Sequence, residues 1–324
     1  MRSRRWLPLR CFCLTVIGTL ILIAASASAQ GLGPSDLSIL HTTRRESGSA
    51  AASNVRIDVN LVLVPVTVTD AAGKPVLGLP REAFQVFEDG VEQRIVHFMN
   101  EDAPVSVAIL FDASASMEKK IEQSRQAAAR LFRNSMPGDE YLLISFNDSP
   151  RLLAEFTNDV DEMQDRLGSI RPRGWTALLD AIYLGVNRMK NARNTRKALL
   201  VISDGADNNS RFTASEIRSL LRESDVCLYA IGILGAGVTK RSMKLLSRLA
   251  DDTGGRLFPV AKLSDLPEAV DRMNKALRDQ YVLGYRPSNA ERDGKYRKVK
   301  VKIGAPFNAA PLRASWRTGY YAPY

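Results

Sequence analysis

Cysteine is nearly absent: the 324-residue chain has three, and Cys11 and Cys13 fall within its first thirty residues. Once those are removed with a leader, Cys227 stands alone in "VCLYAIGI" and no internal disulfide can form. Stability must then come from a core, a metal or a partner. A lone cysteine in a strand-like run reads as a small buried hydrophobe. Histidine is scarcer, with only His41 and His97. Neither lies beside a nucleophile in sequence, and G-x-S-x-G, H-E-x-x-H and Walker patterns are missing. The common acid–base and nucleophilic chemistries therefore have no carrier, and the chain is not expected to be an enzyme. After residue 30 no run is long and apolar enough to span a bilayer. Blocks of one charge sign are missing too. The net charge of +10 falls to +6 without the four leader arginines, so nucleic acid is not expected as a partner.

The leader itself is explicit. Arg2, Arg4, Arg5 and Arg10 precede an apolar stretch from Cys11 to Ala25, closed by Ala27-Ser28-Ala29. This predicts a signal peptide over 1–29, cut after Ala29, and an exported product, periplasmic or secreted. An uncleaved anchor is the competing reading; the short apolar region and the A-x-A ending argue against it. Residues 30–54, rich in Ser, Gly and Ala, read as a flexible lead-in.

From Val55 the hydrophobic pattern has period two, and "FQVFEDGVEQRIVHFM" adds short strands around an Asp89-Gly90 hairpin signal. Residues 55–103 are thus a β-rich flank. Over 104–280 apolar strands alternate with amphipathic helices, including "VSVAILFD", "EYLLISFN", "KALLVISD" and "VCLYAIGI". Such alternation predicts an α/β fold, a doubly wound and mostly parallel sheet with helices on both faces. Residues 281–324 return to β, with Lys298, Lys300 and Lys302 opposite Val299, Val301 and Ile303 in "KYRKVKVKI". The lysines read as a solvated face or a protected sheet edge. The α/β part is expected to be inserted into a smaller β domain built from both flanks.

Oxygen donors gather at the predicted carboxyl ends of these strands, where α/β sheets bind ligands. "SVAILFDASASM" ends an apolar strand in Asp112, with Ser114 and Ser116 in the loop that follows. "RGWTALLDA" sets Thr176 at a helix start, and "KALLVISDGADNN" ends a strand in Ser203 and Asp204. Asp112, Ser114, Ser116, Thr176 and Asp204 form an oxygen-only set suited to a hard cation, Mg2+ above all, with Mn2+ or Ca2+ also accommodated. If hydroxyls bind directly and the carboxylates hold the ion's waters, little charge is neutralised. A position then stays open for a carboxylate from another molecule. Without the other pieces, D-x-S-x-S is only a strand-to-helix turn with a serine cap. Asp207, Asn208 and Asn209 read as a rim of the site or, in preference, as a solvated polar loop, and "GILGAG" (232–237) as a plain loop whose glycine spacing does not fit a dinucleotide fingerprint.

These motifs resemble the von Willebrand factor type A domains, whose metal ion-dependent adhesion site (MIDAS) combines D-x-S-x-S with a distant Thr and a distant Asp. The resemblance spans 104 to about 280. It implies that Ser114, Ser116 and Thr176 bind the ion while Asp112 and Asp204 support it through water. The flanking stretches "VNLVLVPVTVTD", "FQVFEDG" and "QYVLGYRPSN" are similar to A-domain-related exported proteins of Acidobacteria. Two positions depart from the usual pattern. Ala115 stands where many members have glycine, which matters only if the site needs positive φ. Trp175 also replaces a glycine, and either packs over the loop or forms part of a recognition surface. The resemblance implies an adhesion module that captures a protein ligand through an acidic side chain. The alternative is a structural component of an envelope assembly whose A domain is not metal-gated.

Overall fold

The computed structural model describes residues 61–100, 103–235, 240–304 and 311–323. The leader, the lead-in, His41, the start of the first β segment and the end of "GILGAG" lie outside them. The chain runs through β1 (Val62–Thr69), β2 (Phe84–Glu88), β3 (Val91–Gln93) and β4 (Ile95–Met99) before reaching β5 (Val105–Asp112) and α1 (Ile121–Arg133). It continues with β6 (Glu140–Phe146), β7 (Pro150–Thr157), α2 (Val160–Ser169), α3 (Leu178–Arg188), β8 (Arg196–Ser203), α4 (Ala214–Glu223) and β9 (Val226–Ile233). Then come α5 (Lys240–Asp252), β10 (Leu257–Val260), α6 (Leu266–Arg278), β11 (Tyr281–Tyr285), β12 (Tyr296–Ile303), β13 (Arg313–Trp316) and β14 (Gly319–Tyr321).

The central sheet has the order β10-β9-β8-β5-β6-β7. All its pairings are parallel except β6 with β7. Every residue of β5 and of β9 is buried, because helices cover both faces, and this is why both strands are apolar without alternation. On one face α1, α2 and α6 contribute Leu131, Phe132, Met163, Leu167, Val270 and Met273 to the core. On the other, α3, α4 and α5 contribute Leu178, Ile182, Ile217, Leu221, Leu246 and Leu249. The sequence expectation of a doubly wound, mostly parallel α/β sheet holds. At about 2 kcal/mol per fully buried aliphatic side chain, a handful of these residues matches the ~2–5 kcal/mol a disulfide supplies to a small domain. Cys227 is buried in β9, where burial pushes its thiol up to about 11.

Strands from both ends of the chain pair with one another. One four-stranded sheet has the order β13-β1-β11-β4 and the other β14-β12-β2-β3. They share a cluster that includes Val64, Val66, Phe84, Val86, Tyr281, Leu283, Val299 and Val301. The β2–β3 hairpin turns on Asp89 (φ 46°) and Gly90 (φ 90°), a pair of positive φ angles that matches the twist of the flanking strands. Lys298, Lys300 and Lys302 are exposed on β12, which lies between β14 and β2. They form a solvated face. Lys302 Nζ sits 4.6 Å over the Phe87 ring.

Candidate metal centre

Asp112 ends β5 fully buried. Its Oδ1 accepts the Ser114 N–H at 2.9 Å and its Oδ2 accepts the Ser203 hydroxyl at 2.5 Å. The chain then enters a short 3-10 turn, Ala115–Met117. There Ser114 and Ser116 bring their hydroxyl oxygens to 3.1 Å from one another, Ser114 buried and Ser116 exposed. Ala115 does not need a glycine's freedom: among the described non-glycine residues only Asp89 has positive φ.

The other loops are laced to this turn through the backbone. Arg173 N–H donates to Ala113 O at 2.8 Å, and Ala115 N–H donates to Gly174 O at 3.1 Å. Gly174 has φ of +72°, and a Cβ there would stand 2.4 Å from Asp148 Oδ2, so the backbone can pass only without a side chain. Asp148, in the β6–β7 loop, accepts the Trp175 N–H at 2.8 Å. Trp175 itself is 64% exposed, with most of its side chain facing solvent.

Thr176 is buried and held at both backbone groups. Its N–H donates to Asn208 Oδ1 at 2.8 Å, and its carbonyl accepts the N–H groups of Asn208 and Asn209 at 3.0 and 3.1 Å. Asp207 Oδ1 accepts from Leu178 N–H at 3.0 Å and from the Ser210 hydroxyl at 2.5 Å, so it serves the N-terminus of α3. Residues 207–209 form a polar loop with Asn208 and Asn209 exposed, as expected, and Asp207 and Asn208 also use their side chains to fix Thr176 and the helix behind it.

Asp204, 2% exposed, closes the set just beyond β8. Its Oδ2 accepts from Lys120 Nζ at 2.9 Å. Burial pushes the Asp112 carboxyl up to about 6; its hydrogen bonds to Ser114 and Ser203 oppose the rise, and the neighbouring Asp204 charge adds to it. The structure thus gathers all five predicted residues into loops at the carboxyl ends of β5 and β8 and the loop before α3. It adds Lys120, Asp148, Ser203, Asp207 and Asn208 around them. Among the described residues no cluster of three or more His, Cys, Asp or Glu side chains could hold a metal. Two carboxylates with three hydroxyls fit a hard cation that keeps part of its water.

Residues 107–206 match the family described as von Willebrand factor type A domain. Human inter-alpha-trypsin inhibitor heavy chain H4 is 25% identical over 175 residues, 50% of this chain and 19% of that protein. The bovine protein is 25% identical over 187 residues, 52% and 20% respectively. The chain spans about a fifth of the length of these curated relatives. Among solved structures, a von Willebrand factor type A protein from Catenulispora acidiphila superposes with a TM-score of 0.49 at 12% identity, over 68% of this chain and 66% of that one. Proximal thread matrix protein 1 from the mussel byssus, with its MIDAS motif occupied by zinc, gives 0.48 at 16%, over 59% and 49%.

Proposed function

Since the chain carries a von Willebrand factor type A domain, we propose that it is an exported binding module that holds a divalent cation, Mg2+ first, and captures a protein ligand through that ligand's carboxylate. Ser114, Ser116 and Thr176 would hold the ion directly, with Asp112 and Asp204 supporting it through water. The supporting observation is the paired hydroxyls of Ser114 and Ser116, 3.1 Å apart, one buried and one exposed, beside two buried carboxylates. Such an arrangement offers a hard cation oxygen ligands on the protein side and leaves the solvent side open. Exposed Trp175 beside it supplies the kind of rigid aromatic surface that anchors protein partners. Among the described residues no helix is long and apolar enough to cross a membrane.

Isothermal titration of Mg2+ and Mn2+ into the chelated protein, beside Asp112→Ala, tests this reading. Saturable binding lost in the variant supports it; ligand capture fully retained in EDTA rules out the metal-bridged mode. A scaffold role is favoured by a different observation, the two β sheets built from both ends of the chain. In that case Asp112→Ala leaves assembly intact.

A further inference from the structure

Lys120 stands eight residues after Asp112, immediately before α1. Its ammonium meets Asp204 Oδ2 at 2.9 Å, with the lysine side chain 12% exposed and that of Asp204 only 3%. The pair joins residues 84 positions apart and closes the site from the side of α1. The far wall is Gly235, just past β9. A Cβ on Gly235 would lie 3.2 Å from Lys120 Cε and 3.3 Å from its Nζ, so the lysine occupies the room that a side chain at 235 would take. The two carboxylates of the site are therefore answered in different ways. Asp112 has neutral donors, the Ser114 N–H and the Ser203 hydroxyl. Asp204 has a full positive charge.

We propose that Lys120 is a resident cation of the site, an ammonium that a divalent ion must displace from Asp204 or share it with, and that thereby sets the metal affinity. This rests on the metal-site reading above. A buried carboxylate left without a partner is costly, so the lysine lets the loops assemble before any metal arrives. The same charge repels an incoming dication. Neutralising position 120 therefore has opposite effects on the two states: the metal-free fold loses its counter-ion and the metal-bound fold loses a repulsion.

The test is titration of Mg2+ into the wild-type protein, Lys120→Met, Lys120→Gln and Lys120→Arg, with thermal melts of each in EDTA and in Mg2+. The glutamine variant keeps a hydrogen-bond donor toward Asp204 and guards against a misfolded methionine variant. Expected are Mg2+ affinity about tenfold or more tighter in the neutral variants, a lower melting temperature in EDTA that Mg2+ restores, and near-wild-type affinity in Lys120→Arg. Binding seen only in the neutral variants also supports the proposal. Equal or weaker Mg2+ binding by both neutral variants overturns it while leaving the metal site standing. No Mg2+ binding by any of the four proteins removes the metal site, and this proposal with it.

Discussion

The hydroxyl of Ser203, at the end of β8, donates to Asp112 Oδ2, at the end of β5, across 2.5 Å. With the Ser114 N–H on the other oxygen, the carboxylate is held by neutral donors in a fully buried position. Burial, its dominant influence, pushes the Asp112 pKa up to about 6 from an ordinary 3.8. The folded chain therefore binds a proton more tightly here than the unfolded chain does. The Asp112 contribution is present in full below about pH 4 and is lost as pH rises through about 6, an effect of about 3 kcal/mol for a rise of this size. Urea unfolding of the metal-free protein across this range should show wild type losing stability relative to Asp112→Asn. Parallel pH profiles for the two proteins would contradict the assignment.

Gly174 should not tolerate a side chain. Its φ of +72° and the 2.4 Å approach to Asp148 predict that Gly174→Ala loses about 1–3 kcal/mol. Because Asp148 holds the Trp175 N–H, the displaced loop should also weaken Mg2+ binding. An unchanged melt together with unchanged Mg2+ affinity would show that the loop has another way through.

Trp175 is expected to separate ligand capture from metal binding. At 64% exposure it contributes little to the fold, so Trp175→Ala should shift stability by no more than about 0.5 kcal/mol. Mg2+ affinity should stay at the wild-type value while capture of the partner falls. Full capture by the variant would place the recognition surface elsewhere.

Glu88 anchors the β sheets far from the metal centre. Its Oε2 accepts the hydroxyls of Tyr285 and Tyr320 at 2.7 and 2.8 Å, and Arg297 lies 3.5 Å from Oε1. Both charged side chains are 3% exposed; Glu88→Ala strands two phenols, while Arg297 keeps the carbonyls of Asn289 and Glu291 and the Asp293 carboxylate. The expected loss is about 2–4 kcal/mol, read from the urea midpoint. A change below about 1 kcal/mol would mean that the two phenols find solvent or other partners.

The legible parts of the chain are those where chemistry and periodicity coincide locally. Asp112, Ser114 and Ser116 stand out because an apolar strand stops abruptly in oxygen donors, and β5, β8 and β9 because burial on both faces forces continuous apolar runs. Strand β7 is not among the elements expected from the sequence: it is the antiparallel edge, mostly half-exposed, and the adjacent Leu152 and Leu153 break any alternation. Strands β13 and β14 are four and three residues long, too short to show a period. Lys120, Asp148 and Asn208 carry no local signal. Their roles arise only when folding brings them to Asp204, Trp175 and Thr176, respectively 84, 27 and 32 positions away.

The pairing of both chain ends in the β sheets also carries a consequence in time. Tyr320 reaches Glu88 across 232 residues, and β1 pairs with β11 and β13. The central sheet can assemble from nearer contacts, whereas the flanking sheets form only once β11, β12 and β13 are present and close the longest loops. Until then β1 and β2 present bare edges of the kind that invite mispairing. A chain lacking β11 and β12 would leave those edges of β1 and β2 without their partners.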